Sequence, residues 1–217
     1  MIVQPYGDRG VLLASLNAQQ RSCLLHSLTR HLPEHCQEYV VGYDSLLLIG
    51  ICVDSAQVWA EHCLAKHLSA AEGAPSLPPG ARSYTVPVDY NGEDLEAIAD
   101  ACRLTVAEVV ELHCQSIYSV HMLGFSPGFP YLQGLDPRLH LDRRRSPRNR
   151  IEPGSVAIGG PHAGIYTVAS PGGWHILGHT DFQLFDLATA RAVRPCAREV
   201  FSLSPGDQVR FQPKGRL

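Results

Sequence analysis

Between Arg138 and Arg150 the chain carries six arginines, at 138, 143, 144, 145, 148 and 150, against one acid, Asp142. Guanidinium groups stay charged at physiological pH and grip carboxylates or phosphates through paired N–H donors. Arg148 and Arg150 bracket Asn149, shortly before the turn Pro153-Gly154-Ser155. Alternate residues of an extended segment point the same way, so this pair predicts a two-pronged clamp for an anion. A solvated basic loop is the competing reading, and it is the preferred one for Arg143-Arg144-Arg145.

Two glycine pairs, Gly159-Gly160 and Gly172-Gly173, are candidates for presenting backbone N–H groups to an anion. Simple turn geometry is the alternative. Neither the G-x-x-x-x-G-K-[ST] loop nor G-x-G-x-x-G occurs. Ser155 and Ser170 lack the G-x-S-x-G elbow and read as turn residues. Among the histidines of the C-terminal half, His113, His121, His162, His175 and His179, a general base near neutral pH is best sought at His162 and His179. Both lie in turn-rich sequence, whereas His113 sits at a predicted helix C-terminus, where it meets the helix dipole. Phe125, Phe129, Tyr131 and Trp174 read as core first and as a ligand-stacking wall second.

The elements that would hold these residues follow from periodicity and punctuation. Ten of the 19 glycines and seven of the 16 prolines lie between His121 and Thr180. Such density, interleaved with aromatic and β-branched residues, predicts short strands joined by tight turns in a small barrel or sandwich. Strands are expected at Tyr84–Val88, Ile117–Met122, Val156–Ile158, Ile165–Val168, Trp174–Leu177, Leu184–Leu187 and Gln208–Phe211. Ahead of most of these, Leu95, Ile98 and Cys102 mark one helix face. Thr105-Val106-Ala107-Glu108 is a capping box that opens a second helix, with Val106, Val109 and Val110 inward. In residues 1–70, Val11–Ser15, Tyr39–Val41 and Leu46–Ile51 read as strands. Asn17 is placed to cap a helix bearing Leu24, Leu25, Leu28 and Leu32, and Asp54 one bearing Val58, Leu64 and Leu68. The order β-α-β-β-α, closed by one more strand, predicts a small ferredoxin-like α+β layer. Residues 71–82, AEGAPSLPPGAR, read as the linker. The expected domains are 1–75 and 83–217.

Composition narrows the partners. The chain is 45% hydrophobic with no apolar run near 18 residues, so no membrane span is expected. The N-terminus does not read as a secretory signal. A net charge of −3 argues against wholesale nucleic-acid binding. Seven scattered cysteines without a C-x-x-C predict reduced thiols, no metal site and a cytoplasmic setting.

The combined string GFSPGFPYLQGLDPRL, SPRNRIEPGSVAIGG, GIY, SPGGW, LGHT, LFD and PGDQVRF resembles the allophanate hydrolase subunit 1 family, also called the Kip inhibitor family. Its members include the B-type chain of bacterial ATP-dependent 5-oxoprolinase. Tyr6-Gly7-Asp8 and Tyr43–Leu48 resemble its N-terminal part. The resemblance implies an N-terminal α+β domain and a C-terminal cyclophilin-like β-barrel. It implies a heteromer with a C-type subunit, and with a third, lactam-opening subunit in the same system. The implied activity converts 5-oxo-L-proline to L-glutamate with ATP, accompanied by Mg2+, as co-substrate at or near the partner interface. A sensor histidine kinase inhibitor and a carboxyltransferase-type subunit remain alternatives. The family's residues map onto Phe125, Pro127, Gly128, Phe129, Tyr131, Pro147, Arg148, Arg150, Gly154, Ser155, Gly164, Tyr166, Ser170, Pro171, Gly172, Gly173 and Trp174. The chain departs from the family pattern at His162 and Ala163, where relatives place Gln and Thr, and at His179, where they place Arg. The two histidines are therefore expected to take over polar roles at the site.

Overall fold

Pro5 interrupts the alternation of the first residues, yet Ile2–Tyr6 form strand β1. It pairs antiparallel with β2 (Gly10–Ala14), Pro5 standing opposite Val11. A proline is tolerated there because β1 is an edge strand. Helix α1 (Ala18–Leu28) starts at Asn17, whose side chain accepts from the Gln20 N–H while Gln20 reaches back, a complete capping box. Leu24, Leu25 and Leu28 are buried, whereas Leu32 lies beyond the helix and is exposed. Strands β3 (Glu38–Val41) and β4 (Leu46–Ile49) form a hairpin closed by the Gly42 N–H to the Ser45 carbonyl, 2.9 Å. Helix α2 (Val53–Ser69) buries Ala56, Ala60 and Cys63 and leaves Val58 67% exposed, so its inward stripe is the small-residue one.

This computed structural model describes residues 1–69, 80–191 and 200–215. The chain divides into two units, Met1–Ala81 and Arg82–Leu217. The expected linker, 71–82, lies outside the described residues up to position 79, as does the side chain of Leu68. In the first unit the antiparallel sheet runs β1-β2-β4-β3. The edge strand that completes the ferredoxin-like layer precedes the β-α-β-β-α run instead of following it.

The second unit opens with β5 (Ser83–Val88), then α3 (Leu95–Cys102) and α4 (Val106–Gln115). The capping box at Thr105 and Glu108 forms as the sequence predicts. Val109 and Val110 are fully buried, while Val106 sits in the first turn, 36% exposed. The strands continue with β6 (Tyr118–Leu123), β7 (Pro130–Gln133), β8 (Arg148–Ile151), β9 (Ser155–Gly159), β10 (His162–Ile165), β11 (Ser170–Gly172) and β12 (His175–His179). The short helix α5 (Leu187–Ala190) and β13 (Gln208–Pro213) follow. Leu184–Leu187, expected as a strand, forms only an isolated bridge between Phe185 and Phe201 before α5 begins. Asp186 explains the switch: its carboxylate caps α5 by accepting from the Ala188 and Thr189 N–H groups.

Seven strands form one sheet, β12-β9-β10-β7-β6-β13-β5, and β8 and β11 form a separate ribbon. Past the end of β5, Asp89 bridges His179 at the end of β12, with N–H to carbonyl distances of 2.8 and 2.9 Å. That bridge brings the two edges of the sheet together and nearly closes a barrel. Its interior is packed by Val86, Val88, Val120, Leu132, Val156, Ile158, Val209 and Phe211, with α3 and α4 contributing Ile98, Val109 and Val110. The α+β class read from the sequence is thus the class the chain adopts.

Candidate functional site

Asp94 precedes α3 in the N-cap position, but its side chain makes no cap bond. It is turned instead to the arginine stretch. Oδ1 accepts from Arg144 Nη1 and Arg148 Nη2, each at 2.8 Å, and Oδ2 accepts from the Ile176 N–H at 2.7 Å. The carboxylate is 4% exposed. Burial alone would raise its pKa. The Arg148 hydrogen bond, the Ile176 N–H and the two guanidinium charges outweigh that and hold it below the usual carboxylate range. Arg148 also pairs with Glu93 through Nε at 2.7 Å. Arg150 pairs with Glu152 at 2.6 Å and is 67% exposed. Arg148 and Arg150 therefore answer to different carboxylates and share no partner. Arg148 Nη1 and Arg144 Nε are buried and have no hydrogen-bond acceptor among the described residues.

Beside this ion cluster lies a floor of aromatic rings. Phe129, Tyr166 and Trp174 are buried with Ile151, Ala157 and Ile176, and Tyr131 packs against them. Phe129 meets Tyr131, Tyr166 and Trp174 edge to face, at 5.2 to 5.4 Å between centroids. The Arg143 guanidinium lies 6.0 Å over the Trp174 ring, and no carboxylate among the described residues pairs with it. Phe125 stands out of the floor, 61% exposed, with its backbone in the left-handed region at φ 70°. Its ring is 5.6 Å from Phe129 and 6.3 Å from Tyr166. The loop that presents it is pinned by Thr167, whose hydroxyl donates to the Pro127 carbonyl at 2.7 Å. Gly128 turns the same loop at φ +76°.

The glycines serve the rings. A Cβ on Gly159 would lie 2.7 Å from the Trp174 ring, and one on Gly164 would lie 2.8 Å from Phe129. Gly172 is filled over by the Tyr166 hydroxyl and Ile151. Of the predicted N–H donors, that of Gly160 is taken by the Leu141 carbonyl at 2.7 Å. Gly173 uses its carbonyl to accept from the Arg144 N–H at 2.8 Å.

The two candidate histidines are held apart. His162 pairs with Gly159 and His179 with Ser155, at opposite ends of β9, a separation of about 13 Å along a strand. His162 is 8% exposed, its ring 6.2 Å from Tyr131. Burial first, then His140 and Arg143, hold it below the ordinary imidazole value. His179 belongs to the barrel seam. Its Nε2 meets the Pro153 carbonyl at 3.0 Å, and Asp181 lies 3.8 Å from Nδ1. His113, read as a dipole partner, is fully buried, stacked on Phe211 at 4.4 Å and bonded to the Tyr90 hydroxyl at 2.6 Å. Sequence reasoning passes over Asp94 and Glu93, and the solvated loop it prefers for Arg143-Arg144-Arg145 gives way to Arg144 paired with Asp94 and Arg143 over Trp174. An acid before a predicted helix signals a cap, and nothing in its spacing points to arginines fifty residues away.

A family model described as carboxyltransferase domain, subdomain C and D, matches residues 1–194. The chain is 45% identical over 146 residues to the B-type chain of 5-oxoprolinase from Escherichia coli O157:H7, covering 66% of this chain and 63% of that protein. To its namesake from Haemophilus influenzae it is 41% identical over 137 residues, with 62% and 61% covered. To the one from Bacillus subtilis it is 40% identical over 144 residues, with 65% and 57% covered. The match thus spans less than two thirds of each of these relatives. Among solved structures, TTHA0988 superposes with a TM-score of 0.73 at 30% identity, over 96% of this chain and 40% of that one. The urea amidolyase of Kluyveromyces lactis superposes with a TM-score of 0.69 at 19% identity, over 97% of this chain and 14% of that one, a likeness of fold.

Proposed function

The chain belongs to the carboxyltransferase family of subdomains C and D, and from that premise we propose that it is the B-type chain of a heteromeric, ATP-dependent 5-oxoprolinase. The reading rests on 40 to 45% identity to three bacterial proteins of that name. These relatives do not favour a kinase inhibitor or a carboxyltransferase subunit. The proposed chemistry is transfer of the γ-phosphoryl group of ATP to the lactam carbonyl oxygen, releasing ADP. Water then adds to the activated carbon and the ring C–N bond opens, leaving γ-glutamyl phosphate, and a second water hydrolyses that acyl phosphate to release phosphate and L-glutamate. Positioning and charge neutralisation are what the protein must supply to such a transfer.

The observation that carries the site is the arginine cluster fixed on Asp94 beside the aromatic floor. Among the described residues, one buried N–H group each of Arg144 and Arg148 has no acceptor, and Arg143 lies over Trp174 without a carboxylate partner. Guanidinium groups in this setting suit the carboxylate of 5-oxoproline or a transferring phosphate. Arg150, on the same strand as Arg148, extends the cationic rim. Phe125, Tyr131 and Trp174 form the wall for the lactam ring. His162, held neutral by burial, is the base or acceptor nearest that wall, and His179 supports the loop at Pro153. Mg2+ would arrive with ATP at the C-type subunit interface. The test is ATP hydrolysis by the co-purified B- and C-type chains, with and without 5-oxoproline. Stimulation that needs both chains and falls at least tenfold in Arg143→Ala and Arg148→Ala is expected. A folded complex that shows no stimulation would overturn the reading.

A further inference from the structure

The sheet of the first unit is apolar on both faces. Val11, Leu13, Val41, Leu46 and Leu48 are buried on the side covered by α1 and α2. The residues between them point the other way, because side chains alternate along a strand. Cross-strand register lines these up: Tyr6 opposite Gly10 and Gly10 opposite Ile49, then Leu12 opposite Leu47 and Leu47 opposite Val40. Ile2, Tyr6 and Val40 are 53%, 57% and 51% exposed. Gln4 and Glu38 add polarity at these register positions, and of the two only Glu38 is charged. An antiparallel sheet with a solvated face ordinarily alternates apolar and polar residues, and a contiguous apolar patch of a few hundred Å2 is often functional.

Size and the family decide what covers it. Four strands about 4.8 Å apart and about 16 Å long make a face on the order of 300 Å2. Two copies meeting there would bury roughly 600 Å2, about half of what a stable interface needs. The occupant must therefore extend past the sheet. TTHA0988 provides the scale of such a polypeptide: this chain matches only 40% of it, so its counterpart there is joined to a longer stretch of chain. We infer that the outer face of β1, β2, β4 and β3 is the docking surface for a separate subunit with an uncharged, apolar contact patch. Resting on the subunit reading above, that partner is the C-type subunit. One charge in the patch makes the association insensitive to salt.

The test measures binding of the C-type subunit to this chain by calorimetry at about 0.1 M and about 1 M salt. Val40→Asp and Tyr6→Asp place charges at positions already exposed, so each variant keeps its circular dichroism and melting temperature, and either one alone is sufficient. Each should weaken binding at least tenfold, while Val58→Asp, on the exposed side of α2, leaves it unchanged. Equal binding by wild type and both face variants would sink the docking surface and leave the subunit reading standing. No binding by the wild type would overturn both. If the chain alone sediments as a dimer that Val40→Asp splits, the face belongs to a second copy and the inference fails.

Discussion

Asp94 holds together two arginines and the strand start at Ile176. Removing it as Asp94→Ala leaves two partly buried cations and the Ile176 N–H without their acceptor. Because Arg144 is 35% exposed, solvent softens the loss to roughly 2–4 kcal/mol. Its pH dependence has a definite sign. The carboxyl is held below the usual range in the folded chain, so its contribution is full above the unfolded value of about 4 and drains away as pH falls through the lower folded value. Urea unfolding of wild type and Asp94→Asn should differ most at neutral pH and converge as the pH falls below the unfolded value. A difference that stays constant with pH would show that the charge is not what stabilises. The glycines carry another lesson. Gly159 and Gly172 are candidates for anion-binding turns in the sequence, and in the structure their missing side chains make room for Trp174 and for Tyr166 and Ile151. Composition announces that something lies close to such a backbone; it does not say whether a ring or a ligand does.

At the scale of elements, local signals are the legible ones. Asn17 caps α1 and Thr105 builds a capping box with Glu108, as their neighbours predict. Of the expected barrel strands, those at Tyr84–Val88, Ile117–Met122, Val156–Ile158, Trp174–Leu177 and Gln208–Phe211 fall close to β5, β6, β9, β12 and β13. Ile165–Val168 shares only Ile165 with β10, and β7, β8 and β11 are too short to announce themselves. Strand β1 escapes a sequence reading, since Pro5 and an exposed edge leave it little pattern. The ion cluster is illegible for a different reason: Asp94 meets Arg148 of β8 and Ile176 of β12 from 54 and 82 residues away, long-range contacts without a local signature. Helix α4 offers a test of burial itself. His113 is fully enclosed between Tyr90, Tyr118 and Phe211, and burial pushes its pKa down to about 3. The unfolded chain takes up this proton near pH 6.5, so stability from His113 is complete above that value and declines as pH drops toward 3. Its ring resonances should stay unprotonated from about pH 8 to about pH 5. A midpoint near the ordinary imidazole value would mean that α4 does not seal against β13.

At the scale of the molecule, the two units carry separate cores, and Arg82–Leu217 holds its own nearly closed sheet. Expressed alone, that piece should fold with the same shielded His113, as read by nuclear magnetic resonance; a titrating ring would show that it needs Met1–Ala81. The strand order also sets a timetable. β5, the first strand of the barrel, lies beside β13, the last, which runs parallel to it and is paired to β6 on its other side. On the ribosome the first unit can settle as soon as it emerges, but the barrel cannot: until Gln208–Pro213 are made, β5 waits without a sheet neighbour and β6 keeps an open edge. Synthesis of this chain therefore passes through a long interval in which one half is finished and the other is a set of exposed strands, and its yield in the cell should depend on what shelters them during that interval.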